Sequence, residues 1–275
     1  PHDYSLSDTE KGLGIILACC NTAVTDGVLE AEEALGSYDL PHQDSELRSK
    51  KIEQPDERVL SQHATTPRTQ RLRCLAGPSR SRQPDSLPAQ HCSIASCPCD
   101  DMNLQFHSPA TAGNRFIEAL SQSCKANDTL SIKGPQGDFT LNEDSPRSLV
   151  FIAVNAGFGP VKSLIEHAMA LDTAENIQLY WITTPGNSHY LGNLCRSWDD
   201  ALDNFAFTAL EATESDGVES LLPRIIAELS NIADLDVYAC TPAPLLEPLQ
   251  QFLTDNGVVT AQLRMEPVRE TASAD

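Results

Sequence analysis

The 275-residue chain has no apolar run near the roughly 20 residues that a membrane-crossing helix needs, and no charged-then-apolar leader opens it. Basic residues are scarce: 19 Lys and Arg stand against 39 Asp and Glu, a formal net charge of −20. Nucleic acid would be repelled by such a surface and is excluded as a partner. Nothing suggests secretion, yet there are nine cysteines, an odd number. Reduced thiols or metal ligation are therefore expected rather than a disulfide framework, in a cytoplasmic compartment. The chain opens at Pro1, in what reads as the middle of a domain, so a fragment of a longer protein is expected.

What the chain does have is concentrated at Ser148–Glu166. Leu149 to Val154 is a continuous β-branched and aromatic run, the pattern of a strand buried on both faces. It stops at Asn155-Ala156-Gly157, and apolar residues at helical spacing follow: Val161, Leu164, Ile165 and Ala168. Pro160 suits the first turn of that helix, where its missing N–H has no partner to lose. Strand, glycine turn and helix N-terminus together present free N–H groups to a phosphate.

The alternation continues. Strands are expected at Ile177–Thr183, Phe205–Thr208, Asp236–Thr241 and near Val259–Leu263. Helical patterns run to Leu171, through Leu194, and over Val218–Leu229 and Leu245–Asn256. Repeated βα units predict a doubly wound parallel sheet over 146–268, with Asn155–Pro160, Thr183–Thr184 and Cys240–Pro242 around one crevice at the strands' carboxyl ends. Before it, residues 57–145 carry short β segments separated by Pro, Gly and Asp, with one helical stretch at Arg115–Gln122, which predicts a small antiparallel barrel. Residues 34–56 have linker composition and 269–275 read as a disordered tail. The run Pro78-Ser-Arg-Ser-Arg-Gln-Pro84 stands where the barrel needs an apolar strand.

Cys92, Cys97 and Cys99, with His91, could be scored as a metal cluster, although the same residues read as a strand and its following turn. Nine of the 19 basic residues fall between Arg48 and Arg82. That patch could steer an anionic cofactor or an acidic partner, or be a solvated face of the β-domain.

Phe151-Ile-Ala-x-x-x-Gly-Phe-x-Pro160 resembles the start of the pyridine-nucleotide domain in the ferredoxin–NADP reductase superfamily. Leu179-Tyr-Trp181 with Tyr190-Leu191, and Val237-Tyr-Ala-Cys240, are similar to later segments of that domain. Leu75-Ala-Gly77, Ser93–Pro98, Gly113-Asn-Arg-Phe116 and Gly134-Pro-x-Gly-x-Phe139 resemble its flavin barrel. Residues 1–33, with Leu17-Ala-Cys19 after a short capped helix, resemble the end of a plant-type [2Fe–2S] ferredoxin domain, though the chain has no Cys-x4-Cys-x2-Cys loop to supply the other ligands. Cys19 as a small buried hydrophobe is the alternative.

The resemblance implies an NAD(P)H-dependent flavoprotein reductase that passes electrons through FAD to an iron–sulfur centre or an acceptor protein such as an oxygenase component. It implies the nucleotide at Gly157, Phe158, Pro160 and Thr183, with Cys240 at the nicotinamide. It places the flavin at Ser93, Gly113, Asn114, Arg115 and Phe116, and the cluster at Cys19. The family's Arg-x-Tyr-Ser becomes Gln90-His-Cys92-Ser93 here, its first turn glycine becomes Asn155, and Ile182-Thr-Thr184 replaces Gly-x-Arg. Those departures support a second reading, a reductase-fold scaffold or binding subunit that has lost its cofactor contacts.

Overall fold

Residues Gln43–Asp56, expected as linker, instead form a 14-residue strand, β1. Ser45, Leu47 and Ser49 turn inward while Glu46, Arg48 and Lys50 face solvent. The period is that of a strand, but two of the three inward positions are serine, so hydrophobicity does not reveal it. The structure is a computed structural model. It describes residues 43–67, 79–83, 90–100, 102–110 and 124–268, together with Gly12, Asn114, Ile117, Glu118, Leu120 and Ser121. The chain divides into two units, Pro1–Glu33 and Ala34–Asp275, and every element below belongs to the second. Expectations for Cys19, Gly113, Arg115, Phe116 and the 269–275 tail lie outside the described residues.

Five more strands complete a closed antiparallel barrel: β2 (Val59–Thr65), β3 (Ser79–Gln83), β4 (Gln90–Ile94), β5 (Asn103–Pro109) and β6 (Thr129–Gln136). Their order is β1-β2-β5-β4-β3-β6, and β1 closes the ring by pairing Gln43–Arg48 with β6. The polar Ser79–Gln83 run does make a strand, paired with β4 and β6. Leu47, Leu60, Cys92, Ile94, Leu104, Phe106, Leu130 and Ile132 fill the interior.

The second half is a five-stranded parallel sheet in the order β11-β10-β7-β8-β9. Its strands are β7 (Ser148–Val154), β8 (Ile177–Thr183), β9 (Phe205–Glu211), β10 (Leu235–Pro242) and β11 (Leu263–Val268). The central strand β7 is apolar on both sides because both are covered. Leu149, Phe151 and Ala153 join one core, with helices α1 (Phe158–Leu171) and α2 (Gly192–Ala201). Val150, Ile152 and Val154 join the other, with α3 (Leu222–Glu228) and α4 (Ala243–Asp255). The last strand begins at Leu263, C-terminal to most of the Val259–Leu263 segment expected for it, and α2 begins only at Gly192. No helix among the described residues is long and apolar enough to cross a membrane.

Candidate functional site

The chain runs from β7 outward to β8 and β9, then crosses back to place β10 on the other side of β7. The crevice between the carboxyl ends of β7 and β10 is thus the topological switch point, where open α/β sheets bind ligands. Asn155 leaves β7 in the left-handed region, at φ 52°. Asparagine is the residue other than glycine that tolerates this conformation best, so the departure at this position keeps the turn. Its side chain also locks the rim: Oδ1 accepts the Thr184 N–H at 2.9 Å and Nδ2 donates to Thr184 Oγ1 at 2.9 Å. Trp181 Nε1 donates to the Asn155 carbonyl at 3.0 Å. Gly157 packs against the end of β10 so closely that an added Cβ would overlap the Cys240 carbonyl oxygen.

The barrel meets this turn through His107 on β5. A Cβ on Gly159 would lie 2.9 Å from His107 Cβ, and His107 Nδ1 hydrogen-bonds Tyr190 Oη at 3.1 Å. Across the β4–β5 ladder His107 pairs with Ser93. Ser93, His107, Gly159 and the Gly157–Cys240 contact therefore form one continuous junction. Burial pushes the His107 ring down from 6.5 to about 3, with the Lys162 charge and then His63 as lesser causes.

The unfolded chain takes a proton at His107 below about pH 6.5 and the folded one refuses it. The stability this site contributes is complete above that pH and is lost as pH falls from 6.5 towards 3, by up to about 1.4 kcal/mol per pH unit. His107→Gln is expected to flatten the pH dependence of the urea-unfolding free energy between pH 6 and 5 relative to wild type. Parallel curves would refute the assignment.

Beside the junction, α1 is clamped to the barrel by polar groups. Lys162, buried on α1, donates to the Ala95 carbonyl at 2.9 Å, to Gln105 Oε1 at 3.1 Å and to Glu166 Oε1 at 2.6 Å. Glu166 Oε2 accepts the Cys97 N–H at 3.1 Å, and Ser163 Oγ donates to the Ser96 carbonyl at 2.7 Å. A cavity of about 440 Å³ adjoins the clamp, lined by Lys50, His63, Thr65, Cys97, Gln105 and Leu194 among others.

The structure gathers Ser93, Gly157, Phe158, Pro160 and Cys240 around the junction, but not all as contacts. Phe158 is fully buried and stacks on Trp181, centroids 3.9 Å apart, so its ring supports the turn from inside the core. Pro160 is likewise buried, and Thr183 spends its hydroxyl on the Leu210 carbonyl at 3.4 Å. Cys240 is buried, and desolvation first and the Glu266 charge second hold its thiol well above the usual range. Asn114 Oδ1 accepts the N–H of Ile117, a helical residue, at 3.3 Å. The metal reading of the Cys92–Cys99 region is corrected. Cys92 lies in the barrel core, Cys97 and Cys99 form a disulfide, and no metal-type cluster occurs among the described residues. That disulfide also corrects the expectation of reduced thiols at this pair. His107, Lys162 and Glu166 were not anticipated; a Lys and Glu four apart inside an apolar helical pattern was the available signal.

An antiparallel barrel beside a doubly wound parallel sheet, with the switch point at their junction, is the architecture expected of a two-domain reductase. No family model matches the chain. It is 22% identical over 257 residues to the CDP-6-deoxy-L-threo-D-glycero-4-hexulose-3-dehydrase reductase of Yersinia pseudotuberculosis, covering 92% of this chain and 77% of that one. It is 24% identical over 278 residues to the propane 2-monooxygenase reductase component of Rhodococcus jostii, covering 94% and 74%. Among solved structures, the ferredoxin reductase in carbazole 1,9a-dioxygenase superposes with a TM-score of 0.70 at 17% identity, covering 84% and 71%. The chain is similar to these reductases along nearly its whole length and shares their two-domain fold.

Proposed function

We propose that the protein is an NAD(P)H-dependent flavoprotein reductase that passes electrons to an iron–sulfur centre or an acceptor protein such as an oxygenase component. The observation that carries this is the junction itself: the strand expected to hold flavin, at Ser93, is joined through His107 to the Gly157–Pro160 turn and Cys240 at the nucleotide crevice. The reductases of Yersinia and Rhodococcus, similar along nearly the whole chain, support the same reading.

The residues fit a pyridine nucleotide at the switch point, where a turn without a side chain at Gly157 meets the open ends of β7 and β10. They fit a flavin in part. Ser93 and Asn114 would hold it, while Gln90 and Cys92 supply neither a cation nor an aromatic face. Bound FAD and NAD(P)H would supply the redox chemistry. His107, kept neutral by burial, and Tyr190 close the wall between the two sites without adding charge. Cys240 contributes its backbone to the Gly157 contact, beside the nicotinamide position.

A flavin held without the stacking ring is expected to be lost on purification and regained with added FAD. The test is a visible spectrum of the protein with excess FAD, before and after anaerobic NADH and then NADPH. A flavin band that bleaches with either nucleotide supports the reductase. A protein that neither takes up FAD nor oxidises either nucleotide would leave the binding-subunit reading, which the burial of Cys92 in the barrel core favours.

A further inference from the structure

The Cys97–Cys99 disulfide lies in the turn that follows β4, with its Cα atoms 5.2 Å apart. The two sulfurs have different surroundings. Cys99 is exposed, whereas Cys97 is 7% exposed and lines the cavity beside the clamp. Cys97 Sγ already accepts the Cys99 N–H at 3.2 Å and lies 4.0 Å from His167 Nδ1. The other ring nitrogen of His167, Nε2, is held 2.8 Å from Glu143 Oε1. A proton on Nε2 satisfies Glu143 and leaves the Nδ1 lone pair facing Cys97. This is an attackable sulfur joined to a leaving sulfur that has a hydrogen-bond donor and a proton relay in place.

We propose that Cys97 and Cys99 form a redox-active dithiol–disulfide site that exchanges with small thiols. A thiol R–SH attacks Cys99 Sγ, the Cys97–Cys99 bond breaks, and a mixed disulfide R–S–S–Cys99 forms. The proton of the incoming thiol passes by way of His167 Nδ1 to the departing Cys97 sulfur. A second R–SH attacks the R sulfur of the mixed disulfide, releasing R–S–S–R and leaving Cys99 as a thiol. Two electrons reduce the cysteine pair and two thiols are oxidised. The site is built into the hold between barrel and sheet, because the Cys97 N–H is bound by Glu166 and Glu166 by Lys162. Opening the disulfide frees the turn on which that carboxylate is anchored.

The test equilibrates the full chain in glutathione buffers of graded ratio, quenches with acid, alkylates under denaturing conditions and quantifies Cys97 and Cys99 by peptide mass. The expected result is reversible, joint two-electron conversion of this pair, with Cys92, Cys195 and Cys240 labelled as thiols throughout. His167→Ala removes the Nδ1 acceptor for the Cys97 S–H that reduction creates, and the milder Glu143→Gln weakens the hold on that ring. They are expected to lower the reduction equilibrium constant about tenfold and threefold, the former equal to about 30 mV. Folding of each variant is checked by circular dichroism, and Glu143 is exposed enough for its exchange to be tolerated. A pair that remains thiol at every ratio would overturn the proposal. So would a pair that stays oxidised in excess thiol, or an equilibrium constant unchanged in folded variants of both residues.

Discussion

Gly157→Ala is expected to destabilise the protein by about 2–4 kcal/mol and to weaken nucleotide binding, whereas Gly159→Ala, two residues on, costs about 1 kcal/mol. Neither position needs glycine for its backbone angles at Gly157, which is right-handed at φ −58°. The difference lies in what a methyl group would strike. At Gly157 it meets the Cys240 carbonyl oxygen, the carbonyl carbon at 2.9 Å and Val268 Cγ2 at 3.2 Å. These belong to β10 and β11, so the sheet would have to open at its switch point. At Gly159 the close contact is with a single atom, His107 Cβ at 2.9 Å, and no backbone atom is overlapped. Urea unfolding followed by tryptophan fluorescence measures both costs, and a Gly159→Ala cost equal to or above that of Gly157→Ala would contradict this account. Loss of nucleotide binding in a Gly157→Ala protein that still folds would place the ligand at this turn.

Lys162→Met is the second large effect. The substitution keeps the length of the apolar stem but removes an ammonium that serves the Ala95 carbonyl, Gln105 and Glu166 at once. Removing one partner of a buried pair costs about 3–5 kcal/mol, because the other is left charged in a poor solvent. Glu166 keeps 27% of its side-chain exposure and the Cys97 N–H, which moves the expectation here to about 2–4 kcal/mol. Adding Glu166→Gln to Lys162→Met is expected to cost less than the sum of the two single changes, by about 1–2 kcal/mol, since the stranded charge is gone. Strict additivity in urea-unfolding free energies would show that the two do not act as a pair.

The sheet half of the fold could be read from the sequence because its strands bury both faces, and a run such as Leu149–Val154 has no other use. The crevice followed from the βα alternation, which puts the strands' carboxyl ends on one edge, and Gly157 and Cys240 meet there. The barrel was less legible. Strand β1 hides behind Ser45 and Ser49, and β3 is Ser-Arg-Ser-Arg-Gln, so neither shows the apolar alternation that marks a half-buried strand. The clamp left only one mark in the sequence, the Lys162 and Glu166 pair four residues apart. Lys162 and Ser163 reach carbonyls 67 positions earlier in the chain, and a charged residue on a helix reads as solvated until its distant partners are known. Phe158 lies in the motif that the spacing picked out, and the structure adds what spacing does not disclose, its stacking against Trp181.

Closure of the barrel has a consequence for how this chain reaches its native state. The ring is sealed by β1 against β6, pairing Arg48 with Thr129 across 80 intervening residues and Gln43 with Gly134 across 90. Until β6 leaves the ribosome, β1 has only β2 beside it and exposes one unpaired edge. Its charged outward residues, Glu46, Arg48, Lys50 and Lys51, are the kind that discourage a second chain from adding to such an edge. Loop closure over that distance is entropically slow, so β1 is a strand that must wait, and its polar sequence is what makes the waiting safe.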